Sequence, residues 1–171
     1  SSLTSSKAIV FFSHSGNTYM RVVALSGTTA SSGGSTATLD SAAHDTSGSC
    51  GLSSTTALYA ANNSKCYVVT ESSGNLSVGT ALTFGTMGSG GRGDVNVLKI
   101  SETSAAIFFA GNTGPTVQLL KISGTSVTLD GSAIQVSSSS TDTTIDLLST
   151  DRFITGFRTG ATANAAVVIK T

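Results

Sequence analysis

"LSSTTALYAANN", residues 52–63, decides the fold, because the chain writes the same plan four times. "LTSSKAIVFFSH" at 3–14, "ISETSAAIFFAG" at 100–111 and "LSTDRFITGFRT" at 148–159 repeat it: an apolar residue, a short polar turn, then an apolar run closed by small or polar residues. Leu3 and Leu52 are 49 residues apart, Leu52 and Ile100 are 48 apart, and Ile100 and Leu148 again 48. A period this constant lies in the range of about 40 to 50 residues that marks stacked four-stranded units arranged around an axis.

Each period holds four strand candidates. The first ends at the recurring apolar residue: "SSLT", "SCGLS", "VNVLKIS" and "TIDLLS". The second is the run after the turn, "AIVFF", "ALYAA", "AIFFA" and "FITGF", and the third is "YMRVVALS", "KCYVVTES", "TVQLLKIS" and "NAAVVIKT". A tight turn follows at Ser26-Gly27, Ser73-Gly74 or Ser123-Gly124, where glycine supplies positive φ. The fourth strand is then read as "STATLD", "GTALTF" and "SAIQV". The second and third strands are apolar on both faces, so both faces need cover. Face-to-face stacking of sheets provides it.

The expected fold class is therefore all-β and β-propeller-like, about four blades of four antiparallel strands in a single repeat domain, 1–171, with blades near 1–45, 46–90, 91–140 and 141–171. The fourth copy reaches Thr171 without the Ser-Gly turn, and "SSLTS" at the start is already in phase as an inner strand. The last blade is thus expected to lack its outer strand and to be completed by a neighbouring chain.

Composition sets the class of partner. Nine basic and nine acidic side chains give a formal net charge of +0, and charged residues are only 11% of the chain. Nucleic acid and anionic lipid both require a basic footprint that is absent here. No apolar run approaches the roughly 20 residues of a membrane helix, so no membrane insertion is expected. Solubility comes from Ser, Thr, Gly and Asn, a bias that favours strands over helices and fits an extracellular or virion setting.

The repeat resembles the β-propellers of phage tail proteins and bacterial surface proteins, whose blades carry a polar step into an apolar strand and an "L-x-[VI]-S-G-T" hairpin. Those elements stand here as "ISETSAAIFF" with "LLKISGT" at 119–125, and "LTSSKAIVFF" with "VVALSGT" at 22–28. The resemblance covers nearly the whole chain and implies an architecture and a virion or cell-surface setting. It carries no catalytic motif.

Candidate site residues gather on the long connections before Gly51, Asp94 and Thr144: His44 and Asp45 in "SAAHDTSGS", Arg92 and Asp94 in "GTMGSGGRGD", and Asp142 in "SSSSTDTTID". Loops on a rigid scaffold are where contact residues collect. A serine with His44 and Asp45 could be read as a hydrolase set, but no strained nucleophile turn presents a serine, and both histidines, His14 and His44, are read as exposed loop residues. His14, His44, Cys50 and Cys66 lack the paired short spacings of a zinc site, and "GNTG" at 111–114 lacks the acidic series of a calcium loop. No cofactor is expected. Arg92-Gly93-Asp94 matches the tripeptide of integrin ligands, although a flexible glycine-rich connection explains the same residues. Asn62 and Asn75 stand in sequons.

A Cys50–Cys66 disulfide is disfavoured, because an intervening strand would hold the two about 10 Å apart, beyond the roughly 7 Å limit between bridged Cα atoms. The chain has no Trp, so sugar stacking would fall to Tyr19, Tyr59, Tyr67 and the phenylalanines. Phe11, Phe12, Phe108 and Phe109 lie in apolar runs and are assigned to the core. The expected function is a non-catalytic structural module of a virion, fibre or cell surface that forms a homo-oligomer or larger assembly. The alternative is a carbohydrate-binding propeller that recognises cell-surface glycans.

Overall fold

Seventeen strands in four antiparallel sheets account for the regular structure of the described residues, 1–88, 94–138, 142–149, 152–159 and 162–170 of a computed structural model. Blade 1 is β1 (Ser2–Thr4), β2 (Lys7–His14), β3 (Asn17–Ser26) and β4 (Thr29–Asp40), paired in chain order. Blade 2 is β5 (Ser47–Gly51), β6 (Thr56–Ala61), β7 (Lys65–Ser72) and β8 (Asn75–Val78), with β9 (Leu82–Thr83) also on β7. Blade 3 is β10 (Val95–Lys99), β11 (Ser104–Gly111), β12 (Gly114–Ser123) and β13 (Ser126–Leu129), with β14 (Ile134–Gln135) also on β12. Blade 4 is β15 (Asp142–Ser149), β16 (Arg152–Thr159) and β17 (Thr162–Lys170). No helix occurs among the described residues. The all-β, propeller-like reading of the sequence holds.

The hairpins follow turn chemistry. Ser26 pairs with Thr29, Ser72 with Asn75 and Ser123 with Ser126, leaving two-residue loops in which Gly27, Gly74 and Gly124 take φ of 59°, 85° and 59°. Such loops match the twist of the flanking strands only with positive φ.

The outer strands depart from the sequence reading. Each begins directly after the turn and then bulges, so that "STATLD", "GTALTF" and "SAIQV" hold its later part, in β4, β9 and β14. The register breaks between Val23 and Arg21 in blade 1, between Val69 and Cys66 in blade 2, and between Leu120 and Val117 in blade 3. All three breaks start at the same distance from the hairpin, beside Gly33-Gly34, Gly79 and Asp130-Gly131 respectively. Extra residues on the outer strand split it into two short pieces in blades 2 and 3.

The sheets stack face to face, each junction with its own apolar cluster. Call a blade's leading face the one turned to the preceding blade, and its trailing face the other. Ile9 and Met20 on the trailing face of blade 1 meet Ala57, Tyr59, Ala61 and Val69 on the leading face of blade 2. Leu58, Ala60, Cys66 and Val68 of blade 2 meet Ala105, Ile107, Phe109 and Leu120 of blade 3. Ala106, Phe108 and Val117 of blade 3 pack with Ile145 of blade 4. Phe109 meets Phe84 edge-on at 5.0 Å between ring centres, and burying one such side chain contributes about 1.5–3 kcal/mol.

Two glycines of β5 set how closely the inner strands approach. A Cβ at Gly51 would lie 1.8 Å from the Ser2 carbonyl oxygen, and one at Gly48 would lie 2.6 Å from that of Val95. One glycine admits blade 1 and the other admits blade 3.

Phe12 corrects the core assignment. Phe11 packs on Tyr59 with ring centres 4.8 Å apart, and Phe108 and Phe109 are buried. Phe12 is 39% exposed and Val10 45%, because both stand on the leading face of blade 1, which no described residue covers. Phe12 stacks only on Tyr19 of its own sheet, at 5.7 Å.

Candidate functional site

The inner strands β5 and β10 start at the same end of their blades and lie side by side, so the residues that lead into them share one rim. Asp45, Thr46 and Ser47 from blade 2 and Asp94, Val95 and Asn96 from blade 3 line an open cleft of about 380 Å³ there. Asp45 is exposed and Asp94 half-buried. Two of the carboxylates singled out from the sequence are thus brought together across a blade junction. The cleft offers carboxylate, hydroxyl and amide groups and no aromatic ring, a set suited to hydrogen-bonding hydroxyl groups or a cationic group.

His44 sits elsewhere. It is buried, not exposed: its side chain is 2% accessible, and Nε2 lies 3.3 Å from Asp40 Oδ2. Its backbone N–H donates to Ser13 Oγ at 3.3 Å, and its ring lies 6.3 Å from that of Tyr59. The connection after β4 turns inward here, held by the Thr18 hydroxyl, which donates to the Ala42 carbonyl at 2.8 Å, and Asp40 collects further partners. Tyr67 donates its hydroxyl to Asp40 Oδ2 at 2.7 Å, and Asn63 Nδ2 donates to the same oxygen at 3.1 Å. Burial alone would raise the Asp40 carboxyl, but the hydrogen bonds from Tyr67 and Asn63 and the nearby His44 outweigh it and hold the group below its ordinary value. Burial first, and then the bond to Asp40 and its charge, push the Tyr67 phenol well above its usual range. The cluster ties the end of β4 to the β6–β7 hairpin, fastening blade 1 to blade 2.

Arg92 lies outside the described residues. Asp142 is the first residue of β15, its Cα paired with Arg158, so it belongs to a strand rather than to a loop. It follows Asp94 by 48 residues, the repeat period, and both therefore mark the start of an inner strand. That phase relation, together with Thr46 another 48 residues earlier, is the signal in the sequence that locates the rim. The Asp40–Asn63–Tyr67 cluster was not found from sequence, because its members are joined only by the stacking of two blades.

Lys7 and Glu71 bridge the same two blades at the opposite end, with Nζ 2.7 Å from Oε2. The Lys7 bond and the Gly74 N–H hold the Glu71 carboxyl below its ordinary value against the effect of burial. Cys50 and Cys66 are free thiols. Burial pushes Cys50 up to about 11, with Lys99 pulling the other way, and Cys66 to about 12. Among the described residues, no three His, Cys, Asp or Glu gather as a metal site, and no helix is long and apolar enough to cross a membrane.

No protein-family model matches the chain, and no curated protein is similar to it in sequence. Among solved structures it is similar to a fungal lectin from Aleuria aurantia, described as a six-bladed β-propeller with a novel fucose recognition mode, at 14% identity and a TM-score of 0.43. The alignment covers 97% of this chain and 62% of the lectin chain, so the sequence spans less than two thirds of that protein's length.

Proposed function

We propose that this chain is a non-catalytic assembly module of a virion, fibre or cell surface, which works by packing its outer blade faces against neighbouring chains. One observation carries the reading. Ala8, Val10 and Phe12 on blade 1 are the repeat counterparts of Ala57, Tyr59 and Ala61 on blade 2 and of Ala105, Ile107 and Phe109 on blade 3. The six counterparts are 0–2% exposed, whereas Val10 and Phe12 are 45% and 39% exposed. Among the described residues this face is apolar and exposed, and exposed apolar surface of this kind marks an interaction site. Light scattering with electron microscopy of the purified chain tests it: a concentration-dependent oligomer or filament is the expected result, and a monomer at every concentration would refute it.

The Asp45–Asp94 cleft favours a second reading, glycan binding at the blade 2–blade 3 rim. Carboxylates accept hydrogen bonds from sugar hydroxyls, and Ser47 and Thr46 border them. A glycan array with wild type and Asp94→Asn decides it: signal lost in the variant supports the cleft, and no signal with wild type refutes it.

A further inference from the structure

We propose that Asp130-Gly131, in the bulge between β13 and β14, is a self-modification site, where the folded chain rearranges its own backbone to an isoaspartyl linkage.

The reaction needs only the two residues and water. The Gly131 nitrogen attacks Asp130 Cγ, a nitrogen–Cγ bond forms, and the hydroxyl of the protonated carboxyl leaves with the nitrogen's proton as water. A five-membered succinimide results. Water then adds to either ring carbonyl: breaking the nitrogen–Cγ bond restores Asp130, and breaking the bond to the main-chain carbonyl carbon leaves the backbone running through Cβ and Cγ, with a free carboxylate on Cα. Over both steps no atom is gained or lost.

Sequence restricts the reaction to one place. Asp130 is the one Asp or Asn of the chain that is followed by glycine; at every other, a side chain flanks the nitrogen that would attack. Structure then opens that place. Between the pairs Leu120–Leu129 and Val117–Ile134, four outer residues, 130–133, stand against two of β12, Gln118 and Leu119. Gly131, Ser132 and Ala133 are exposed, and a Cβ on Gly131 would meet nothing within 4 Å. The Asp130 N–H donates to the Leu119 carbonyl at 2.8 Å, and the Gly131 carbonyl accepts from Gln118 Nε2 at 3.2 Å. Between these two anchors, the Gly131 N–H has no acceptor among the described residues. The reacting nitrogen is therefore neither shielded nor engaged.

The carboxyl is held by one partner. Lys121 Nζ lies 2.9 Å from Asp130 Oδ1, with the two side chains 67% and 40% accessible. Asp40, by contrast, is fixed by Tyr67, Asn63 and His44. Ring closure gives up the attraction to Lys121, so that pair acts as a brake, and a weak one because it faces water. The product adds one methylene to the backbone and puts the carboxylate on a shorter arm, which takes it off Lys121. The insertion falls where the outer strand is already out of step, so β13 and β14 keep their pairing with β12 while the joint between them lengthens.

Ageing the purified chain in neutral buffer, with and without denaturant, tests the site. Samples are digested, mapped, and assayed with an isoaspartyl methyltransferase. The folded chain is expected to accumulate isoaspartate in the peptide that holds Asp130, at a rate within about threefold of the denatured chain. Asp130→Glu, which would have to close a six-membered ring, should abolish the signal, and Lys121→Met should accelerate it by no more than about fivefold. Circular dichroism confirms that both variants keep the strand signal. A folded chain that stays unmodified at Asp130 while the denatured one reacts would overturn the inference, because the fold would then protect the bond. Isoaspartate arising at other residues with Asp130 intact would overturn it as well. A Lys121→Met chain that ages no faster than wild type would remove the brake assigned to Lys121.

Discussion

Replacing Tyr67 with Phe removes one hydroxyl from the fastening between blades 1 and 2 and leaves the ring in place. The lost bond is a 2.7 Å hydrogen bond to the Asp40 carboxylate, in a site where Tyr67 is 6% exposed. A hydrogen bond to a charged partner contributes about 1.5–3 kcal/mol and a neutral one about 1. Asn63 and His44 stay on the same oxygen, so the carboxylate is weakened but not stranded. We expect a loss of about 2 kcal/mol at pH 7, or about 1 M in the urea midpoint. The fold depresses the Asp40 carboxyl, so the stability it confers is complete above its unfolded value near pH 4 and is lost as pH falls through the lower native value. The penalty of Tyr67→Phe should therefore shrink to about 1 kcal/mol or less once Asp40 is protonated in the native state. Urea unfolding followed by circular dichroism at neutral and strongly acidic pH, at one protein concentration, measures both values. A loss below about 0.5 kcal/mol at pH 7, or an equal loss at both pH values, would refute a charge-assisted bond at this site.

Gly51→Ala should cost about 1–3 kcal/mol, because the new Cβ meets the Ser2 carbonyl and neither backbone can yield without separating blades 1 and 2. Gly16→Ala is its control, with nothing within 4 Å but a φ of 81°, and should cost about 1–2 kcal/mol from backbone strain alone; thermal melts compare the two. Both thiols should be silent to an aromatic disulfide reagent at pH 8 in the native protein and react fully in denaturant, since burial holds Cys50 near 11 and Cys66 near 12. Rapid reaction of either one in the native state would contradict that burial.

The architecture was legible because its determinants are local and repeated. The apolar step at Leu3, Leu52, Ile100 and Leu148 fixes the phase, and Gly27, Gly74 and Gly124 fix the hairpins. Only the second part of each outer strand was legible, because a bulge shifts the alternation in mid-strand, so a period-two pattern finds one of the two pieces. Phe12 reads the same as Phe109 in sequence; only the absence of a covering sheet among the described residues separates the exposed ring from the buried one. The rim of the candidate site was half legible. Asp45 and Asp94 lie in connections whose lengths point outward, while His44, one residue away from Asp45, turns inward to a carboxylate supplied by a strand end that no spacing rule links to it.

The bulged outer strands govern how these chains can fail to behave. A sheet edge recruits a foreign strand through a run of aligned backbone donors and acceptors, and the recruitment grows with the length of that run. In blade 2 the edge is four residues of β8 and two of β9, and in blade 3 it is four of β13 and two of β14, each pair out of step with one another. A strand that docked on the first rung would have lost its register by the second. Lateral recruitment is frustrated at those two edges, where no run longer than four residues stays in register.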